Sequence, residues 1–441
     1  MATPTLRRSL TLRDLIVYGL LFIGPLAPVG VFGVLDARTH GAVALVYLLA
    51  TVAMAFTAWS YAEMSRVVPH AGSVFAYATE GLGHLPGFLA GWLAMLDYLL
   101  IPSVAYLFCG LSMHALLPQV PAWVFTVIAF GLTTLMNMTG VRVAARVGTL
   151  VVAIEILVLG AFVALSLYVL ATTGPARPWL SPITGLYPIE LGAVVGAISV
   201  AVLSYLGFDA IASFAEETTG SRDAVGKAIL VCLGVAGVLF VVQAWLAALV
   251  TPLDPRELAA HPDQQGTAFY VLTRESLAPW LSTVLSITKA IGPAFAAMTA
   301  QAAASRLLFG MARDGRLPRK LAEIDPRHGV PRTALLVAAA LTLVVSVWAA
   351  VRPDGLDVLV SIVDVGALAA FTLLHASVTG YFTWQRRAAA RVAHYAIPIL
   401  GAAVTLWIIV EAQPLAHLVG GIWLAIGMGV FLLQPSKTGH S

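Results

Sequence analysis

The sequence predicts an all-α integral membrane protein of twelve transmembrane helices, and three observations predict it. Only 11% of the 441 residues are charged while 59% are hydrophobic; a soluble chain carries about a quarter charged residues. Apolar runs of the ~20 residues needed to cross a bilayer recur from one end to the other. Two of these runs, the first and the sixth, carry helix-breaking residues near their middles. Interrupted helices at corresponding places in two five-helix halves point to an inverted repeat with a binding site between them; two ordinary kinks are the plainer alternative.

In order, the expected spans are Leu12 to Leu35, Ala42 to Met64, Leu85 to Ser112, Trp123 to Met138, Val147 to Leu170, Leu191 to Glu216, Ala228 to Val250, Leu277 to Met311, Thr333 to Val351, Leu356 to Thr383, Ala396 to Glu411 and Leu418 to Leu433. Residues 12–170 make the first repeat and 191–383 the second, with 396–433 as two additional helices of one transporter domain spanning 1–441. Met1 to Phe32 has the look of a signal peptide, with Arg7, Arg8 and Arg13 ahead of an apolar segment. No small-residue cleavage site follows, so it is read as a retained first helix. Arg66 to Pro86 reads as a polar link, Asp314 to Pro331 as a basic loop, and Thr251 to Ala268 as an outer stretch long enough to fold over a vestibule. Cys109 and Cys232 fall inside apolar runs and read as free core thiols.

Lys and Arg in the loops set the orientation. With the N-terminus inside, 19 of the 25 basic residues lie on the cytoplasmic side, five outside, and Lys289 in the membrane. Both termini are therefore expected in the cytoplasm. The net charge of +3 comes from these loops and makes no case for a nucleic-acid partner.

In the first span, Phe22 to Gly30 reads F-I-G-P-L-A-P-V-G. Pro25 and Pro28 lack a backbone donor and Gly24 adds freedom, so the helix is expected to break there. In the sixth, Ser204-Tyr205-Leu206-Gly207-Phe208-Asp209 sets a carboxylate beside a glycine at mid-membrane depth. Such a charge costs at least ~2.5–3.5 kcal/mol to insert, so it needs a partner, a cavity or a function. Asp97, Glu155, Lys289 and Asp364 are the other ionisable residues within spans, histidines aside. Four acids and one base suit a cationic substrate or a carried proton better than an anion; the plainer reading is pairing between helices, favoured for Asp364 near its span's outer end. Glu155 and Lys289 read as mutually neutralising, either as a fixed strut or as a pair broken by proton transfer. Tyr98, Tyr205, Phe208 and Phe295 offer ring faces to an ammonium, packing being the plainer role for each. His375 reads as a core histidine. The ten histidines show no ligand spacing, and no nucleophile elbow, phosphate loop or zinc motif appears. No metal, cofactor or enzymatic activity is expected.

Four stretches carry a resemblance. They are G-P-L-A-P in span one, W-S-Y-A-E-M-S-R-V-V-P-H-A-G-S-V-F-A-Y-A after span two, S-Y-L-G-F-D-A with the following A-E-E-T-T-G-S-R-D-A-V-G-K-A-I, and S-R-L-L-F-G-M-A-R-D-G-R-L-P after span eight. Together they make the chain resemble the amino acid–polyamine–organocation (APC) superfamily over nearly its whole length. Bacterial putrescine importers look most similar, through L-G-F-D-A, the following E-E-T, and Leu96-Asp97-Tyr98. The resemblance implies a five-plus-five inverted repeat with two extra helices and substrate bound at the breaks of helices one and six. Amides of Ile23, Gly24, Pro25, Leu26 and Ala27 (Pro25 itself has none) would line a carboxylate site, and carbonyls from Ser204 to Gly207 an ammonium site. Some proton-coupled relatives place a lysine on helix five; here that position carries Glu155 and the base, Lys289, is on helix eight.

The expectation is therefore an inner-membrane secondary transporter importing a small organic cation, putrescine or a related amine, coupled to protons by alternating access. Asp209 would hold one ammonium and Asp97 a second. The rival is an amino acid permease, proton symporter or exchanger, in which the helix-one amides bind the carboxylate and Asp97 is structural. A non-transporting nutrient sensor is a remote alternative, since Gln434 to Ser441 offers no signalling domain.

Overall fold

The computed structural model describes residues 8–433 except 70–71, 118, 139–140, 220, 222, 353–354, 386–390 and 413. The basic residues Arg7, Arg222, Arg386, Arg387 and Lys437 and the tail 434–441 lie outside the described residues, as do the side chains of Arg142 and Arg146. The described chain is helical throughout. The helices are α1 (Leu12–Ile23), α2 (Pro28–Arg38), α3 (Val43–Val67), α4 (Val74–Leu82), α5 (His84–Leu116), α6 (Ala122–Met138), α7 (Val141–Thr172), α8 (Ser181–Thr184), α9 (Leu191–Leu203), α10 (Ala224–Val250), α11 (Pro255–Ala260), α12 (Pro262–Gln265), α13 (Ala268–Leu272), α14 (Pro279–Arg313), α15 (Arg332–Ala350), α16 (Gly355–Gly380), α17 (Ala393–Val410) and α18 (Pro414–Leu433). Among the described residues the sole β feature is an isolated parallel bridge between Leu10 and Thr218.

Among the described residues nine helices are long and apolar enough to cross a membrane, and the bent pair α1–α2 makes a tenth. The expected spans four and six are apolar but shorter, α6 at 17 residues and α9 at 13. The sixth is short because its helix stops at Leu203 and resumes as a 3-10 segment, Asp209–Glu217. A nine-residue 3-10 run is unusually long, and such runs mark strained or functional places.

The first helix begins at a capping box. The Asp14 amide donates to Thr11 Oγ1 at 3.3 Å and the Thr11 amide to Asp14 Oδ2 at 2.9 Å, the reciprocal arrangement of a capping box. It ends at Gly24, φ 75°, and α2 leaves at a bend of 50°. Pro25 cannot donate and Pro28 opens the next helix, so the break falls where the prolines place it.

The link from Arg66 to Pro86 differs from expectation. It folds into α4, whose Val74, Phe75, Tyr77 and Ala78 are buried. The turn at Gly72 and Ser73 leads into V-F-A-Y-A, which supplies an apolar face that packs against α5 and α16. The stretch 251–268 forms α11 and α12 and lies on α2; the Gln265 backbone comes so close to Gly33 that no side chain would fit there. Cys109 and Cys232 are free and buried, as expected.

Candidate functional site

The two helix breaks meet. Gly207 has φ 121°, a conformation that favours glycine, and the ring of Phe22, the penultimate residue of α1, occupies the space where a Cβ would stand. The turn aims the Gly207 N–H at Asp209 Oδ1, 3.1 Å away. Tyr98 on α5 donates its hydroxyl to Asp209 Oδ2 at 2.7 Å. Ser73, in the turn before α4, approaches the same Tyr98 hydroxyl at 3.3 Å. Ser73 has φ 49°, a costly conformation for a residue with a side chain and one found where function holds it.

Asp97, Asp209 and Asp364 are all buried, at 2%, 1% and 8% exposure. The charges acting on Asp97 are those of Asp209 and Asp364, with no base among them. Asp97 Oδ1 and Asp364 Oδ1 have no hydrogen-bond partner. A cluster of buried carboxylates without a counter-charge is expensive unless a cation or protons join it. Of the other buried acids, Asp36 pairs with Arg177 and Glu217 with Arg306, while Glu155 has no ion pair. Against the acids stands an aromatic trio. The Phe208 ring lies 6.1 Å from Phe371 and 6.3 Å from Tyr61, and Tyr61 lies 5.9 Å from Phe371.

The other expected residues divide. Ile23, Pro25 and Leu26 are buried in the break, with Gly24 and Ala27 partly so. The Gly24 amide bonds Leu20 O at 2.9 Å and the Ala27 amide bonds Gly24 O at 2.8 Å. Pro25 has no N–H, so among the described residues of the break only Leu26 keeps an amide uncommitted to a carbonyl. Ser204 Oγ lies 3.2 Å from the Tyr47 hydroxyl. The Tyr205 hydroxyl is tied to α3, 2.7 Å from Thr51 Oγ1 and 3.2 Å from Tyr47 O, and is not among the groups bonded to the carboxylates. Phe295 lines an apolar pocket of about 240 Å³ with Cys109, Phe125, Leu132 and Ile291, whose lining includes none of the three acids. His375 is a satisfied core residue, bonded to Thr57 Oγ1 at 3.2 Å and Ser60 Oγ at 2.9 Å.

Glu155 on α7 and Lys289 on α14 lie within electrostatic reach of each other but form no direct ion pair. Glu155 is 4% exposed, Oε2 has no partner, and Oε1 rests against Gly292, one turn past Lys289. Any side chain at Gly292 would displace the carboxylate.

Buried ion pairs lie at both ends of the first span. At the end carrying Leu10, Arg306 is 1% exposed and its Nε bonds Glu217 Oε1 at 2.7 Å. Phe214 lies under its guanidinium at 5.1 Å, and Tyr18 of α1 packs on Phe214 at 5.2 Å. Arg313 and Glu216 pair at 2.6 Å nearby. At the opposite end Arg177 grips Asp36 with two bonds of 2.7 and 2.8 Å and also reaches Leu253 O. The Tyr187 hydroxyl donates to Asp254 at 2.7 Å, and this bond holds the Asp254 carboxyl below its ordinary range. A depressed carboxyl stabilises the loop above its ordinary range and loses that contribution as pH falls through its lowered value.

Sequence reasoning did not single out Ser73, in the stretch read as a link, or Tyr61, in the expected second span, and it favoured a packing role for Asp364. Its signal was present: an acid inside a span.

The amino acid permease family model matches residues 16–430. The chain is 28% identical to the low-affinity putrescine importer PlaP of Escherichia coli (strain K12), over 98% of this chain and 94% of the relative. It is 26% identical to the branched-chain amino acid permease BcaP of Bacillus subtilis (strain 168), over 98% and 94%. It is 28% identical to the vacuolar cationic amino acid transporter 4 of Arabidopsis thaliana, over 83% and 62%.

Proposed function

Because the chain belongs to the amino acid permease family, we propose that it is a proton-coupled secondary transporter that imports a small organic cation, putrescine or a related amine, by alternating access. One observation carries the reading: Asp97, Asp209 and Asp364 are buried together with no basic side chain against them among the described residues. A cationic substrate supplies the missing charge. The name of the E. coli relative, a putrescine importer, agrees with it.

An amino acid substrate is the second reading, favoured by the name of the B. subtilis relative. It asks the break of α1 to bind a carboxylate, yet two amides there already serve carbonyls and one residue is proline. Three acids nearby would also repel that carboxylate.

In this account α1–α2, α3, α9 with its 3-10 segment, and α10 rock against the remainder. The Arg306–Glu217 end faces the cytoplasm of a bacterial-type inner membrane, and the helices form a five-plus-five inverted repeat with α17 and α18 added. Glu155 and Lys289 carry the coupling proton. The test is ligand-dependent thermal stability of the purified protein. A ligand at 100 times its Kd stabilises the bound state by about 2.7 kcal/mol. Putrescine should raise the Tm while leucine does not; the reverse pattern would transfer the site to amino acids.

A further inference from the structure

We propose that Asp97 and Asp364 form a second ammonium subsite, apart from the one at Asp209, so that the cavity selects a dication over a monoamine or a zwitterion, with Asp364 as a specificity-determining residue. The inference rests on the transport reading above and names which amines that site takes.

The three carboxylates are not equivalent. Asp209 is oriented by two donors, the Tyr98 hydroxyl and the Gly207 N–H. Asp97 and Asp364 each keep a buried Oδ1 that nothing satisfies. An ammonium brings three N–H donors, matched to acceptors left in this condition. The Tyr77 hydroxyl, fully buried on α4 with its ring 6.0 Å from that of Tyr61, is also unpartnered.

The Asp97–Asp364 subsite is held together by packing. Two residues past Asp364, Gly366 lies so tightly on α5 that an added Cβ would stand 3.1 Å from both the Leu93 carbonyl and Leu96 Cβ. That contact holds the Asp364 turn of α16 against the Asp97 turn of α5. Phe371, seven residues from Asp364, repeats on the same helix face and joins Phe208 and Tyr61. The wall is apolar, suited to methylenes linking two charged ends. A monoamine leaves one subsite unfilled, and a zwitterion sets its carboxylate against acids.

The experiment compares half-saturation of putrescine and butylamine, which share a four-carbon chain and differ by one ammonium, in proteoliposomes holding wild type, Asp364→Asn or Asp364→Glu. Wild type should prefer putrescine, and Asp364→Asn should weaken putrescine about tenfold or more, the scale of a lost charge-assisted bond, while butylamine changes by less than about twofold. Asp364→Glu, one methylene longer, should shift preference toward propane-1,3-diamine, and that ratio decides the matter if Asp364→Asn does not fold. Equal losses for both amines, or an unchanged putrescine-to-butylamine ratio, would overturn the second subsite and leave the transport reading standing. Wild type that takes up neither amine would overturn that reading and the subsite together.

Discussion

The Tyr98 hydroxyl donates to Asp209 Oδ2 at 2.7 Å, joining α5 to the broken sixth span across the middle of the protein. It fixes the carboxylate proposed to hold the first ammonium. Tyr98→Phe removes one bond to a charged acceptor, about 1.5–3 kcal/mol, so substrate affinity should fall roughly 10- to 100-fold with the protein still folded. Asp209→Asn should abolish uptake. Isothermal titration of both variants checks this, and near-wild-type affinity in Asp209→Asn would remove it from the site.

Gly207 and Phe22 make the second test. A methyl group at 207 meets the Phe22 ring and forces a side chain into φ 121°, a conformation costing about 1–3 kcal/mol. Gly207→Ala should lower the Tm and slow transport. Combining it with Phe22→Ala should relieve the clash but not the backbone strain, giving partial recovery of Tm.

The Arg306–Glu217 pair is buried at the Leu10 end, where the proposed transport cycle makes it a lock. Removing one partner of a buried pair costs about 3–5 kcal/mol, whereas replacing both with apolar residues is often neutral. Arg306→Ala and Glu217→Ala should each destabilise strongly, and Arg306→Met with Glu217→Leu should recover much of the loss. Because the apolar pair restores packing but not the lock, the double variant should label faster than wild type at Cys232, which lies beside α1 with its thiol toward Ile16 O. Unchanged labelling would assign the pair to folding alone.

Glu155 and Lys289 separate coupling from binding. Glu155→Gln should retain exchange of substrate across the membrane but lose stimulation by an inward proton gradient. Lys289→Ala should change the pH dependence of uptake; a pH profile identical to wild type would make the two a structural strut.

Much of this was legible because local chemistry forced it. Pro25, Pro28 and Gly24 dictate a break whatever surrounds them, and Asp209 is too costly in a membrane to be incidental. What depended on distant contacts was not legible. The meeting of Tyr98 with Asp209 spans 111 residues. The neighbours of Asp364 were not legible because depth within a span does not reveal which neighbour a helix face meets. Ser73 and α4 were hidden because a polar, glycine-containing stretch reads the same whether it lies in water or turns inward. Phe295 has the right chemistry for an amine site, yet its helix face turns it toward an apolar pocket.

The central claim is tested most directly by uptake of labelled putrescine into proteoliposomes, with and without an inward proton gradient, against unlabelled diamines and amino acids. The account predicts gradient-driven accumulation that diamines block and neutral amino acids do not. No putrescine uptake, with a neutral amino acid accumulating in its place, would contradict it.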